Sequence, residues 1–520
     1  MSITSGGTLG QLIIDAVVRF AERPAVSDGR ISWTYAELGD QIGRYVTLYR
    51  QLGLGKGSGV MLLTSNRAEV WPSVCAANLM GIRYTPLHPM SAEADHVFTA
   101  EDCEAEALIV DAGPYGERAK AIQARCAGVK HLLAVGPLDG AIDLLALLPT
   151  LQSAPLIDEA DPEDIAWLSY TGGTTGRSKG VMLPHRSIVA FAATVGGEWE
   201  WPKDLRYALV TPLSHSAGVK TYPVMMMGGY TRFIPGFHAE QFCQIVQDEK
   251  ITATFLVPTV INSLLEAEEI RGRHDLSSLK MIIYGAAPMS PDRLQRAIHT
   301  FGPVFLQLYG QSECPECITT LRMVDHDLSK PERFSACGRP TVLTTVKLLD
   351  AEGREVADGE PGEICVRGPL VCNGYWKQPE LTAQLFEGGW LHTGDVARRD
   401  AEGYLHIVDR TKDLIISGGF NIFPREVEDA LMSHPAVLMA GVIGVPDDKW
   451  GEAVKALVTL RAGASAKEAE LQAHVKAVRG APWSPKSIDF VDEIPLTGLG
   501  KLDRKAMREP YWRGRARGVS

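Results

Sequence analysis

Short apolar runs alternate with amphipathic stretches along the first half of the chain, and this alternation limits the fold more than any other feature. Gly59–Thr64 (GVMLLT) reads as a buried strand and Glu69–Met80 as the helix after it, with further strands at Ala107–Asp111 and Lys130–Val135. Asp164–Tyr170 is another strand, and the pattern resumes at Thr252–Val257, Lys280–Tyr284 and Val304–Leu308. Continuous apolar strands spaced by helices predict βαβ units, hence largely parallel sheets with helices on both faces. At 520 residues the chain exceeds what one core serves, so two to four domains of roughly 100–200 residues each are expected.

From Arg333 to Asp409 the texture changes. Short alternating segments (Thr345–Leu349, Gly362–Arg367, Gly403–Val408) are broken by turns such as Ala351-Glu352-Gly353, which predicts an antiparallel, barrel-like region. Beyond it a helix near Pro424–Ser433, strands at Val437–Val445 and Lys455–Leu460, and a helix at Ala466–Arg479 predict a small α+β domain. The expected fold class is multidomain α/β: a large N-terminal domain (1–409) of two α/β subdomains and a β-barrel-like one, and a small α+β C-terminal domain (414–520). The charged run Asp409–Asp413 lies between them, and 410–413 is taken as a hinge.

Composition narrows the function. A formal net charge of -11 argues against nucleic acid as the main partner, which would call for a concentrated basic face. A small anion stays compatible, because loops and helix ends bind phosphate whatever the global charge. The longest apolar stretches, such as Ala141–Leu151, fall short of the roughly 20 residues a spanning helix needs, leaving only peripheral membrane contact open. The first residues lack a basic segment and carry Asp15 within their apolar part, so they read as a domain helix rather than a signal peptide. Nine scattered cysteines in so large a chain suit a reducing cytoplasm. Cys314-Pro315-Glu316-Cys317 is a lone CxxC without metal-site partners and reads as two small thiols beside a loop.

The residues richest in chemistry are Tyr170-Thr171-Gly172-Gly173-Thr174-Thr175-Gly176-Arg177-Ser178-Lys179-Gly180. Glycines let backbone N–H groups curl toward an anion, hydroxyls donate to non-bridging oxygens and a lysine neutralises charge, so the run reads as a phosphate-binding loop. No Walker GxxxxGK[ST] pattern can be placed on it. Its order resembles the signature loop of the adenylate-forming superfamily, which comprises acyl-CoA synthetases, peptide-synthetase adenylation domains and firefly-type luciferases. Gly172 and Ser178 stand where the commoner form has Ser and Pro, which leaves phosphate contact to Thr171, Thr174 and Thr175 with Gly173, Gly176 and Lys179.

Other family motifs follow in order, and the likeness runs from about Trp33 to Lys501. Pro212–Gly218 (PLSHSAG) resembles the segment whose histidine, here His215, lines the acyl pocket. Gly285-Ala286-Ala287-Pro288 resembles the segment that packs on adenine. Tyr309-Gly310-Gln311-Ser312-Glu313 resembles YGxTE, which implies Tyr309 on the adenine, Ser312 at the α-phosphate and Glu313, with Thr174, at Mg²⁺; a π-face suits a base and a carboxylate a hard cation. Trp390–Asp395 (WLHTGD) implies that Asp395 accepts from the ribose hydroxyls, as an ionised carboxylate can, with Arg410 beside it. Pro495–Lys501 (PLTGLGK) resembles the C-terminal motif whose lysine bridges the acyl carboxylate and the α-phosphate.

The resemblance implies an enzyme using ATP, Mg²⁺ and coenzyme A. A carboxylate attacks the α-phosphorus of ATP to give an acyl-adenylate and pyrophosphate, and a thiol then displaces AMP. Lys501, Thr174, Thr175, Glu313 and His215 are the expected catalytic residues, because charge gathering at the α-phosphate calls for donors and cations aimed there. Between the two steps the small domain is expected to turn about Lys412, bringing Gly418 and Gly419 toward the pantetheine arm. Ile416–Pro424 resembles the form found in CoA ligases for fatty and aryl acids, which favours CoA over a carrier protein, the alternative acceptor. A non-catalytic acyl-nucleotide sensor would be expected to lack Lys501 or Glu313, and both are present.

His215, Gly218, Val219, Lys220, Tyr284 and Gly310 are expected to line the acyl pocket; fatty, aryl and alicyclic acids all remain open, as does a homodimer. A pocket Lys220 would pair with a second carboxylate or an oxygenated substituent. The commoner fate of a lysine, exposed or paired with a surface acid, is the stronger expectation.

Overall fold

The computed structural model describes residues 7–171, 178–287, 289–410, 413–417, 420–447, 450–496 and 502–513. Contacts divide the chain into two units, Met1–Val346 with Val366–Leu391, and Lys347–Cys365 with His392–Ser520. Residues from the region expected to be barrel-like thus fall in both.

The first unit holds two mixed sheets. One runs Ile142–Asp143, His131–Val135, Ala105–Asp111, Gly59–Leu63, Arg83–Pro86, Ile165–Thr171, Lys179–Pro184, parallel except for the last pair. Every residue of Gly59–Leu63 is buried, as a strand covered on both faces must be. The other has six central parallel strands in the order Phe305–Gln311, Met281–Tyr284, Ala253–Leu256, Arg206–Leu209, Tyr230–Phe233, Pro24–Ser27. Antiparallel strands extend it at both edges: Cys314–Leu321 and Arg339–Pro340 at one, Ser32–Thr34 at the other.

Helices cover these sheets because their apolar faces have nowhere else to go. The helix Tyr35–Gln51 starts at a reciprocal capping box, in which Thr34 Oγ1 accepts from the Glu37 N–H at 3.2 Å and the Glu37 carboxylate accepts from the Thr34 N–H at 2.7 Å. Its Tyr35, Leu38, Ile42, Tyr45, Val46 and Tyr49 are buried at helical spacing. Each such side chain contributes about 1.5–3 kcal/mol by leaving water, so the face outweighs the cap.

The second unit has two sheets of its own. Thr345–Leu349, Gly362–Arg367, Leu391–Arg399 and Leu405–Arg410 form a four-stranded sheet in that order, with a few end residues counted in the first unit. Among the described residues it is open and does not close into a barrel. Beyond it, Phe420–Ile422, Ile415–Ser417, Gly451–Leu460 and Val437–Asp447 make an antiparallel sheet, and Ser487–Phe490 lies parallel to Gly451–Leu460. Pro424–Met432 and Glu468–Arg479 bury Val427, Leu431, Leu471 and Val475 against it.

Candidate active site

The Gly/Thr run connects two antiparallel strands, Ile165–Thr171 and Lys179–Pro184, with Thr171 opposite Lys179 and Tyr170 opposite Gly180. A Walker loop opens a helix instead, which is why no Walker spacing could be found. Gly172, Gly173, Thr174, Thr175, Gly176 and Arg177 lie outside the described residues, as do Pro288, Lys412, Gly418, Gly419 and Lys501.

Three further motifs of the first unit sit where parallel strands end at their carboxyl edge, the place where open α/β sheets bind ligands. Gly285, Ala286 and Ala287 follow Met281–Tyr284, and Tyr309 to Glu313 end Phe305–Gln311. Pro212 to Gly218 follow Arg206–Leu209. Ala286 holds φ +63°, a conformation costing a residue with a Cβ about 1 kcal/mol or more and found mostly at functional sites. Gly285 is required by packing, since a Cβ there would lie 2.6 Å from the Leu308 carbonyl oxygen.

Glu313 is half-buried and held at one end. The Tyr375 hydroxyl donates to its Oε1 at 2.8 Å, while among the described residues its Oε2 takes no side-chain hydrogen bond. Lys179 Nζ stands 4.8 Å from the centre of the Tyr375 ring, so one tyrosine joins the Gly/Thr run to the YGQSE carboxylate. Burial and the neighbouring Glu313 charge push the Tyr375 phenol well above its ordinary range, which keeps it a donor. Sequence reasoning missed Tyr375. Its segment runs beside the loop's second strand, with Asn373 N–H donating to the Met182 carbonyl at 2.8 Å and Trp376 N–H to that of Gly180 at 2.7 Å. The only local hint was an aromatic pair behind a turn glycine, Gly374-Tyr375-Trp376.

His215 is exposed, yet crowded by protein that disfavours its charged form and brings its pKa down to about 4. Its Nδ1 meets Ser214 Oγ at 2.8 Å, and His88 packs edge-on at 4.6 Å between ring centres. Neutral at pH 7, it can line an acyl pocket without attracting a second charge. Gly218 is fixed by packing: a Cβ would fall 1.9 Å from the Leu213 carbonyl oxygen.

Two expected pocket residues are placed differently. Tyr284 is 1% exposed, packs on Phe305 and His326, and donates its hydroxyl to His326 Nε2 at 3.0 Å. It belongs to the core beneath the strand end, because alternation along the strand turns it inward. Lys220, expected at the surface, is 0% exposed and paired with Glu316. Its helical segment follows a buried Gly-Val pair and has no outer face at that position.

In the second unit Asp395 and Arg410 face each other across paired strands, with Arg410 Nε donating to Asp395 Oδ1 at 3.0 Å. Glu363 braces the loop before Asp395, accepting from the Gly394 N–H at 2.8 Å and meeting His392 Nδ1 at 2.8 Å. Glu363, Cys365 and His392 are close enough to hold a metal ion. Burial pushes the Cys365 thiol up to about 12, and both Glu363 oxygens are occupied, so the trio reads as bracing. Asp413, the last residue of the charged run expected to be a connector, is anchored. Arg504 forks onto Glu428 at 2.7 and 2.8 Å and reaches Asp413 at 3.5 Å, and Arg508 meets Asp413 at 2.8 Å.

Comparison with known proteins agrees with this set of motifs. The model of the AMP-binding enzyme family matches residues 14–376, and that of the AMP-binding enzyme C-terminal domain matches residues 426–501. A medium/long-chain-fatty-acid–CoA ligase of Mycobacterium tuberculosis is 43% identical over 98% of this chain and 91% of its own length. A feruloyl-CoA synthase of an Amycolatopsis species is 35% identical over 94% of this chain and 96% of its own. Among solved structures, an amide bond synthetase from Marinactinospora thermotolerans superposes with a TM-score of 0.88 at 31% identity, covering 97% of this chain and 100% of that one.

Proposed function

The chain belongs to the AMP-binding enzyme family, as an AMP-forming acid–thiol ligase of the adenylate-forming acyl-CoA synthetase superfamily, and from that premise we propose a fatty or aryl/alicyclic carboxylic acid as its substrate. The observation that carries the proposal is the 43% identity, spread over 98% of the chain, to a ligase of fatty acids and CoA. ATP and CoA are its co-substrates.

In the proposed mechanism Tyr309 stacks on adenine beside Gly285, Ala286 and Ala287, and Ser312 donates to the α-phosphate. Asp395, steadied by Arg410, accepts from the ribose hydroxyls. Lys501 and the hydroxyls of Thr174 and Thr175 meet the charge that builds on the α-phosphate as the acid's oxygen attacks. Neutral His215 borders the acyl group and repels no substrate charge. Lys501 has no task in the second step, for which the C-terminal part turns about Lys412 and presents Gly418 and Gly419 to the pantetheine arm.

Glu313 suits Mg²⁺, since a hard oxygen donor is held firmly by Tyr375 while its second oxygen is left available. Bound there, Mg²⁺ would neutralise phosphate charge. Nine free cysteines, all buried, suit a reducing cytoplasm, and no helix of the described residues is long and apolar enough to cross a membrane.

The test is pyrophosphate release across a panel of fatty, aryl and alicyclic acids with ATP and Mg²⁺. Hydroxamate would trap the acyl-adenylate, and free CoA, a carrier protein or an amine would be added as acceptor. The proposal expects thioester with CoA alone. Product only with carrier protein or amine would overturn CoA as acceptor, and no pyrophosphate with any acid would overturn the reaction.

A further inference from the structure

The Lys220–Glu316 pair is a poor way to gain stability. Two well-packed apolar side chains of similar volume would serve as well or better, because each buried ion loses its water. Its hydrogen bonds show what the pair leaves open. The Lys220 ammonium donates to the Ser216 carbonyl at 3.0 Å, to Ser216 Oγ at 2.8 Å and to Glu316 Oε2, and its remaining face lies 4.1 Å from the centre of the Phe255 ring. All three of its hydrogens are used. Ser216 Oγ donates in turn to Glu316 Oε2 at 2.6 Å.

Glu316 Oε2 therefore takes two donors, and among the described residues Oε1 takes none. The Glu316 side chain keeps 11% exposure where Lys220 has 0%, so the accessible part of the pair belongs to Glu316. The backbone is bent to place it there. Glu316 holds φ +71°, and Gly310 makes room, since a Cβ at Gly310 would lie 2.6–2.9 Å from the Glu316 backbone. Ser216 directly follows His215, and Glu316 comes three residues after Glu313.

We propose that the acid carries a hydroxyl group remote from its carboxyl end, and that Glu316 Oε1, fixed by Lys220 and Ser216, accepts its hydrogen bond. This deepens the adenylating reading and rests on it. A carboxylate oxygen with spare capacity favours a donor and penalises an alkyl end, which would cover it without pairing it. A second carboxylate on the substrate is disfavoured, because Lys220 has no hydrogen left to offer and Glu316 repels it.

The experiment compares kcat/KM, by pyrophosphate release, within matched pairs: an aryl acid with and without a ring hydroxyl, and a fatty acid with and without a terminal one. Dicarboxylic counterparts complete the panel. The parent is expected to favour the hydroxy member of at least one pair by about tenfold or more. The double variant Lys220→Met/Glu316→Leu is expected to lose or reverse that ratio. Equal rates for both members of every pair in the parent would overturn the proposal without any variant, so its test survives a double variant that fails to fold. A folded double variant that keeps the parent's ratio would overturn it as well. Pyrophosphate release with none of the panel would instead overturn the adenylating reading beneath it.

Discussion

At the scale of single residues, Lys220 shows how burial changes the meaning of a charge. Lys220→Met alone leaves Glu316 inside the protein without its cation, with only Ser216 still donating to it. Breaking a buried pair from one side costs about 3–5 kcal/mol, whereas exchanging both partners for apolar groups is often neutral or better. Denaturation should therefore rank Lys220→Met well below the parent and Lys220→Met/Glu316→Leu close to it. A single variant within about 1 kcal/mol of the parent would mean that Glu316 relaxes into water, against the geometry described. The sequence could not display this pair, because its members stand 96 residues apart and meet only through the fold. Glu313 and Asp395 were legible because each sits in a motif of fixed local spacing. Tyr375 was not, since its partner Glu313 is 62 residues away.

Among the elements, the strand–loop–strand around the Gly/Thr run and the final helix mark what pattern reading can and cannot do. Period and composition located the strand Ile165–Thr171 but not the antiparallel return at Lys179–Pro184, because that pairing is decided by a partner strand. The turns after Arg333 were also legible, whereas whether a run of short strands closes or stays open depends on register that no single strand carries. The helix Arg504–Trp512 carries Arg504 to buried Glu428. Burial raises the Glu428 carboxyl from its ordinary 4.5 to about 7, with the nearby Arg504 charge pulling it down. A carboxyl raised on folding holds its proton more tightly in the native state, so its contribution to stability is present at low pH. That contribution is lost as pH rises from about 4.5 to about 7. Glu428→Gln removes the titration, so the variant should gain on the parent across that window by up to about 3 kcal/mol, read from urea unfolding at pH 5 and 7.5. Parallel pH profiles for parent and variant would rule out Glu428 as the source.

For the whole molecule, what carries function is the order of motifs along the chain, and that order needs no coordinates. The Gly/Thr run, PLSHSAG, YGQSE, WLHTGD and PLTGLGK follow one another over most of the length, and the family models cover residues 14–376 and 426–501. The division into units was less legible, because Lys347–Cys365 groups with residues from His392 onward across an intervening stretch of sequence. The proposed mechanism assigns Lys501 to one half of the reaction only, which makes that half separable by mutation. Lys501→Ala removes a cation from the charge that develops at the α-phosphate, and losing one such electrostatic contact costs about 10²–10³ in rate. The thiol's attack on a finished acyl-adenylate develops its charge at the acyl carbonyl and on departing AMP, where the proposed mechanism gives Lys501 no part. Supplied with synthetic acyl-adenylate and CoA, the variant should therefore form thioester at the parent's rate, while pyrophosphate release from acid and ATP collapses. Equal loss in both assays would assign Lys501 to the shared AMP site or to the folding of its segment, and the two steps would not divide at this residue.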